Sequence, residues 1–128
     1  MNGKLLKVKV EIENFNNFPP SKNKLYYGKA LKWQWIKRFR EINKDFIQKV
    51  KHLVQKYKEV RLVIVFALTD EFYAKFEPQN YTEVIFDAVF SIHKDNVIAE
   101  YLVKKVHAPK NKIIITVFPQ LNIGSENR

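Results

Sequence analysis

Carboxylates gather around one short stretch of this chain. In KFEPQNYTEVIFDAV, Lys75 to Val89, Glu77 stands just before Pro78, and Asn80, Glu83 and Asp87 follow at steps of three and four. On a helix those steps place Asn80, Glu83 and Asp87 on one face, opposite Tyr81, Val84, Ile85 and Ala88. Such a set is read either as a metal-binding nuclease site, whole or in remnant, or as a well-capped helix. Acids in a first turn complement the helix dipole, and Asn80 suits an N-cap. The capping account covers Glu83 well. It covers Glu77 and the later Asp95 less well, because both fall in segments read as loops beside a sheet edge.

Other chemistries find little to work with. His52, His93 and His107 fall in different elements, without the paired spacing of metal ligands. Only three glycines occur and none lie close together, so there is no phosphate-cradling loop. The absence of cysteine removes disulfides and thiolate metal sites. No Ser or Thr stands in a nucleophile motif. What remains is acid and base, and base dominates. The formal net charge of +10 favours a polyanionic partner, nucleic acid first and an anionic membrane second. Lysine far outnumbers arginine, which also suits a protein that is basic through genome composition alone.

The elements that must position these groups are legible from periodicity. Leu5 to Glu13 alternates, with Leu6, Val8, Val10 and Ile12 on one face and Lys7, Lys9 and Glu11 on the other, as in a half-buried strand. The stretch NFNNFPPSKNKLYYG then reads as a loop, its paired prolines forcing extended backbone. From about Lys29 to Lys58 the period becomes helical, with Trp35, Phe39, Ile42, Phe46, Val50, Leu53 and Tyr57 as the core stripe. Lys37, Arg40, Lys44 and Lys51 share another face, either solvated surface or a phosphate-tracking stripe. A helix of that length leaves room for a break. VRLVIVFAL, Val60 to Leu68, is continuously apolar and β-branched, the pattern of a central strand covered on both faces.

Asn80 to Phe90 is a second helix, and HKDN turns the chain. VIAEYLVKKV and KIIITVF read as two strands joined as a hairpin across HAPKN. The expected fold is one α+β domain: a mixed sheet of about four strands, in the order β-α-β-α-β-β, with a long and a short helix packed on it. That domain spans residues 1–118, and 119–128 is a tail. Apolar residues at 46% and charged ones at 28% fit a globular chain able to bury a core. No run of about 18 apolar residues suggests a membrane span. The start, MNGKLLKVKVEIE, has no secretory-signal pattern, so a cytoplasmic location is expected.

Taken together, these landmarks resemble the RusA-type Holliday-junction resolvases over most of the chain. PPSKNKLYY follows the first strand, and an aromatic, basic segment opens the long helix. EPQNYTEVIFDAV stands where the family shows D-x-D-N and a helix with F-D-A-L, and KDNVIAEYLVKK where it shows an Asp leading into a strand. The resemblance implies a homodimeric, Mg²⁺-dependent (or Mn²⁺-dependent) endonuclease that binds four-way DNA junctions and nicks two opposed strands. Family members hold the metal with three Asp carboxylates and need a nearby Lys. A hard cation there activates water and offsets charge on the phosphate being cut.

Position by position, the match is incomplete. The first family Asp corresponds to Glu77, the second to the neutral Gln79, and the third to Asp95; the family Lys corresponds to Glu83, a reversal of charge. Either the site has drifted to inactivity, leaving a junction-binding dimer or the same fold reused as a non-catalytic nucleic-acid binder or a viral or phage accessory protein, or Glu83 replaces the lost carboxylate. Glu83 is four residues, about one turn, beyond Gln79. Glu77, Glu83 and Asp95 would then be the metal ligands. Impaired or altered catalysis is the expectation.

For binding, Lys22, Lys24 and Tyr26, followed by Lys37, Arg38, Arg40 and Lys44, are the candidate DNA contacts. Cations take phosphates while interleaved aromatics stack on unpaired bases. Trp33 lies off the core stripe and is expected at the surface or at a dimer interface.

Overall fold

Val60–Leu68 forms the most deeply buried strand of the molecule. In the computed structural model, which describes residues 7–13, 29–90 and 94–120 (with the side chains of residues 29–31, 94 and 95 excepted), this strand is β2. The chain order is β1 (Val8–Ile12), α1 (Lys29–Ile42), α2 (Lys44–Tyr57), β2, α3 (Asp70–Tyr73), α4 (Gln79–Phe90), α5 (Lys94–Val97), β3 (Ile98–His107) and β4 (Lys112–Pro119). The four strands make one mixed sheet in the spatial order β1-β4-β2-β3. The α+β reading with a four-stranded mixed sheet holds.

The expected hairpin between the last two strands does not form. β3 pairs with β2 in parallel, and β4 lies on β2's other side, antiparallel to both β2 and β1. The physical reason lies in β2 itself. Its nine residues are almost wholly apolar, so an edge position would expose them, and it takes a neighbour on each side. The chain from β2 through α3, α4 and α5 to β3 is a β-α-β crossover. The Ala108 N–H then bonds the Leu68 carbonyl (2.8 Å) as the chain passes the end of β2 to reach β4.

One face of the sheet carries the core. Leu62, Ile64 and Phe66 of β2 and Ile113, Ile115 and Val117 of β4 have no exposed surface, and the register places them beside Val8, Val10 and Ile12 of β1. Phe46, Val50 and Leu53 of α2 and Val84, Ile85 and Val89 of α4 pack into this same cluster. The alternate residues of the strands, Val63, Val65, Leu102, Ile114 and Phe118, are not part of it. Among the described residues, the expectation that β2 is covered on both faces is therefore met on one face only.

The long helix is two. Asn43 leaves helical geometry (φ −111°, ψ 43°), although its N–H bonds the Phe39 carbonyl and its own carbonyl accepts from the Ile47 N–H. The Asn43 side chain also donates to the Phe39 carbonyl at 3.0 Å, drawing the backbone out of register. Two consequences follow for the stripe. Ile36, Phe39, Phe46, Ile47, Val50 and Leu53 are buried, but Ile42, expected in the core, is 59% exposed at the bend. Trp33 is 55% exposed, as its place off the stripe predicted.

Candidate functional site

The approach to Glu77 is built from aromatic rings and one lysine. After β2, the Thr69 N–H donates to the Asn111 side chain (2.9 Å), and α3 makes a single short turn that periodicity alone does not reveal. Phe76 is then buried against Phe66, with ring centroids 4.7 Å apart, and stacks on Tyr81 at 4.5 Å. Lys105 reaches over from β3. Its ammonium donates to the Tyr73 carbonyl (2.8 Å) and the Phe76 carbonyl (3.0 Å) while lying 4.3 Å from the centre of the Tyr73 ring. A lysine so used satisfies two carbonyls at once and fixes the backbone immediately before Glu77.

Glu77 itself is exposed. Its carboxylate accepts from the Asn80 side-chain amide at 3.0 Å, and its carbonyl accepts the Asn80 N–H. Asn80 is thus inside the first turn of α4, holding Glu77, rather than serving as the N-cap. Thr82 adds a side-chain bond to the Pro78 carbonyl, so the helix start is braced on both sides. Along α4, Gln79, Asn80 and Glu83 line an open groove of about 640 Å³ whose far wall is Tyr101 and Val103 of β3. Tyr101 is 56% exposed and meets Phe86 edge-on at 5.0 Å, which gives that wall an aromatic surface.

The remaining acids separate from this group. Asp87, expected on the same face as Asn80 and Glu83, is drawn under α1, where Lys32 pairs with it at 2.6 Å and both side chains are largely buried. Asp95 belongs by backbone to α5, which follows the far end of α4 and leads into β3 where Ile98 pairs with Val60. Glu77 precedes the near end, beside Lys105 and the other end of β2. The twelve residues of α4 span about 18 Å, so Glu77 and α5 stand at opposite ends of the helix. The Asp95 side chain lies outside the described residues.

By donor type, Glu77 and Glu83 suit a hard divalent cation. By arrangement, no three Asp, Glu, His or Cys side chains among the described residues come together as a metal-holding group. The fold brings Glu77 to Asn80, and Gln79 and Glu83 to the same groove, but it assembles no three-carboxylate centre from the described side chains.

The basic candidates divide in the same way. Lys37, Arg38 and Lys44 are exposed. Arg40, read as a DNA contact, differs from them: it is part-buried, and its guanidinium donates to the Ala88 carbonyl in the last turn of α4. The last carbonyls of a helix have no partner within it, and a cation nearby also complements the dipole. Lys51 is exposed on α2, beyond the break. Lys22, Lys24 and Tyr26 lie outside the described residues, as does His93. His52 is exposed, and His107 pairs with Asp70 (2.8 Å) and stacks on Tyr73, so neither joins the acidic groove.

Sequence reasoning missed Lys105, Tyr101 and the inward turn of Arg40. The first two carried a faint signal, since period two along β3 puts Tyr101, Val103 and Lys105 on one face. Nothing in the spacing of Arg40 distinguishes it from Lys37. No helix among the described residues is long and apolar enough to cross a membrane. No protein-family model and no curated protein matches this chain.

Proposed function

We propose that the chain is a RusA-like protein that binds four-way DNA junctions as a homodimer in the cytoplasm, and that binding is better preserved in it than cleavage. The observation that carries this reading is the set of outward cations on adjoining helices, Lys37 and Arg38 on α1 and Lys44 on α2, in a chain of net charge +10. Each cation that displaces a counterion from a phosphate contributes to affinity whatever the base sequence. Cleavage has less support. The family's second Asp is the neutral Gln79, its Lys is the acidic Glu83, and Asp95 follows α4 at the end remote from Glu77.

A synthetic four-way junction, incubated with the protein with and without Mg²⁺ or Mn²⁺, tests the reading directly. A retarded but intact junction is the expected result. Failure to retard the junction at low salt overturns it.

A second reading, metal-dependent nicking with Glu77, Glu83 and Asp95 as ligands, draws on the shared groove of Gln79, Asn80 and Glu83 and on the Asn80 bond that orients Glu77. Bound there, Mg²⁺ would activate water and offset charge on the scissile phosphate. Paired nicks in the same assay, abolished by Glu83→Ala, would favour it.

A further inference from the structure

Two strands of this protein are more apolar than a sheet with one covered face requires. VRLVIVFAL and KIIITVFP, β2 and β4, hold only Arg61, Lys112 and Thr116 as polar residues, whereas a strand with one wet face alternates. The outer strands do carry charges on the second face: Lys9 and Glu11 on β1, and Glu100 and Lys104 on β3. The centre of the bare face is apolar, with Val63, Val65 and Ile114 half-buried and Leu102 of β3 54% exposed, and charge surrounds it: the outer strands at the sides, and Arg61 (over the Phe118 ring) and Lys112 at the ends of β2 and β4. That is the anatomy of an interface core and rim.

From this arrangement we infer that the bare sheet face is the surface on which two copies of the chain pack, related by a two-fold axis running along the strands. The inference deepens the dimeric part of the proposed function and rests on it. The register supplies the fit. Val65 lies level with Ile114 and with Lys104, and Ile114 lies level with Glu11, so these four stand in one row across the sheet. Turning a second copy about an axis between β4 and β2 sets Val65 over Ile114 and Glu11 over Lys104, twice by symmetry. Val63 and Thr116 meet in the next row. In the central row, opposite charges therefore face each other at both margins with apolar side chains between them, and in the next row Lys9 lies over Leu102.

The size is sufficient. Four strands about 4.8 Å apart and some 25 Å long give a face on the order of 500 Å². The two copies together bury on the order of 1,000 Å², the lower bound for a specific interface. Pairing along the sheet edges fits less well, because the edge strands carry Lys104 on β3 and Lys9 on β1, a feature that discourages strand addition.

Sedimentation velocity across micromolar concentrations, with thermal unfolding as a control for folding, tests the assignment. The full chain should sediment at twice 15.3 kDa. Val65→Glu, in the central row of the face, should raise the dimer dissociation constant at least about 100-fold, as expected when a charge is buried in an interface centre. Lys104→Glu should raise it about tenfold by placing like charges opposite each other twice. Combining Lys104→Glu with Glu11→Lys should bring it back, which a purely local destabilisation would not do. A dimer indifferent to Val65→Glu overturns the surface and leaves the dimeric reading standing. A monomer at all concentrations overturns both.

Discussion

The two faces of the sheet share the same strands and differ in almost everything else. Toward the helices, Leu62, Ile64 and Phe66 are sealed; on the other side of the same backbone, Val63 and Val65 stay half-open. Side chains alternate along a strand, so β2 feeds both faces equally from an apolar run. What separates the faces is cover: α2 and α4 lie on one, and no described element lies on the other. Hydrophobicity in a strand therefore reports that burial is needed, without saying what supplies it.

The sharpest way to break this comparison is to truncate one residue on each side. Phe66→Ala removes a ring packed against Phe76 and Tyr81 and should cost about 3–5 kcal/mol in urea unfolding, a large share of a domain's stability. Val65→Ala, its neighbour on the bare face, should cost less than about 1 kcal/mol at concentrations where the protein is monomeric. Similar losses would mean that another part of the chain seals the second face as firmly as the helices seal the first.

On the covered side, one ion pair ties α1 to α4. Lys32→Ala should cost about 2–3 kcal/mol, reduced from the cost of a fully buried pair because solvent still reaches both groups. Replacing both partners, as Lys32→Met with Asp87→Leu, should cost less than the single change, since a largely buried carboxylate is then no longer left without its lysine. Equal losses in a double-mutant cycle would show that Asp87 gets its stabilisation elsewhere.

Cations that look alike in sequence divide along the same line between inside and outside. Arg40→Ala should lower stability by about 1–2 kcal/mol through loss of the bond to the Ala88 carbonyl, with the salt dependence of junction binding unchanged. Lys37→Ala, Arg38→Ala and Lys44→Ala together should leave stability within about 0.5 kcal/mol. They should also flatten the slope of log affinity against log salt by about 0.9 for each phosphate that the protein no longer neutralises. A slope that responds to Arg40 and ignores the other three would reverse the assignment of the basic surface.

Much of this architecture was legible in the residues. Period two announced β1, the 3.6 period announced α1 and α2, and the core stripe of α4 stood where its apolar steps put it. Three features were not legible, each for a physical reason. The β3–β4 hairpin failed because pairing is decided by the most apolar strand, β2, which competes for both neighbours across a long sequence separation. The stripe slipped at Ile42 because a single side-chain bond at Asn43 shifts helical register, and no period records that. The acidic group split because Lys32 lies on another helix, too far along the chain for spacing to connect it with Asp87. Local pattern located the candidate groove; only long-range packing decided which acids line it.

The smallest expected effect belongs to the rim of the bare face. Glu11 accepts from Lys112 (3.2 Å) and pairs with Lys9 (3.3 Å), and the lysine bonds, Lys112 first, hold its carboxyl below the ordinary value of 4.5. The depression fixes the sign. Between its folded value and 4.5, the native protein binds fewer protons at Glu11 than the unfolded chain does, so stability rises with pH across that window. The contribution is complete above the unfolded value and disappears as pH falls through the folded one. The group is open to water, so the effect is small and should fade in high salt. Unfolding curves measured from neutral pH downward should show wild type losing slightly more stability than Glu11→Gln below pH 4.5, at low ionic strength only. Parallel curves for the two proteins would show that these lysines merely lie near Glu11 without stabilising its charge. The margin of the bare face would then depend on interactions made only when a second copy is present.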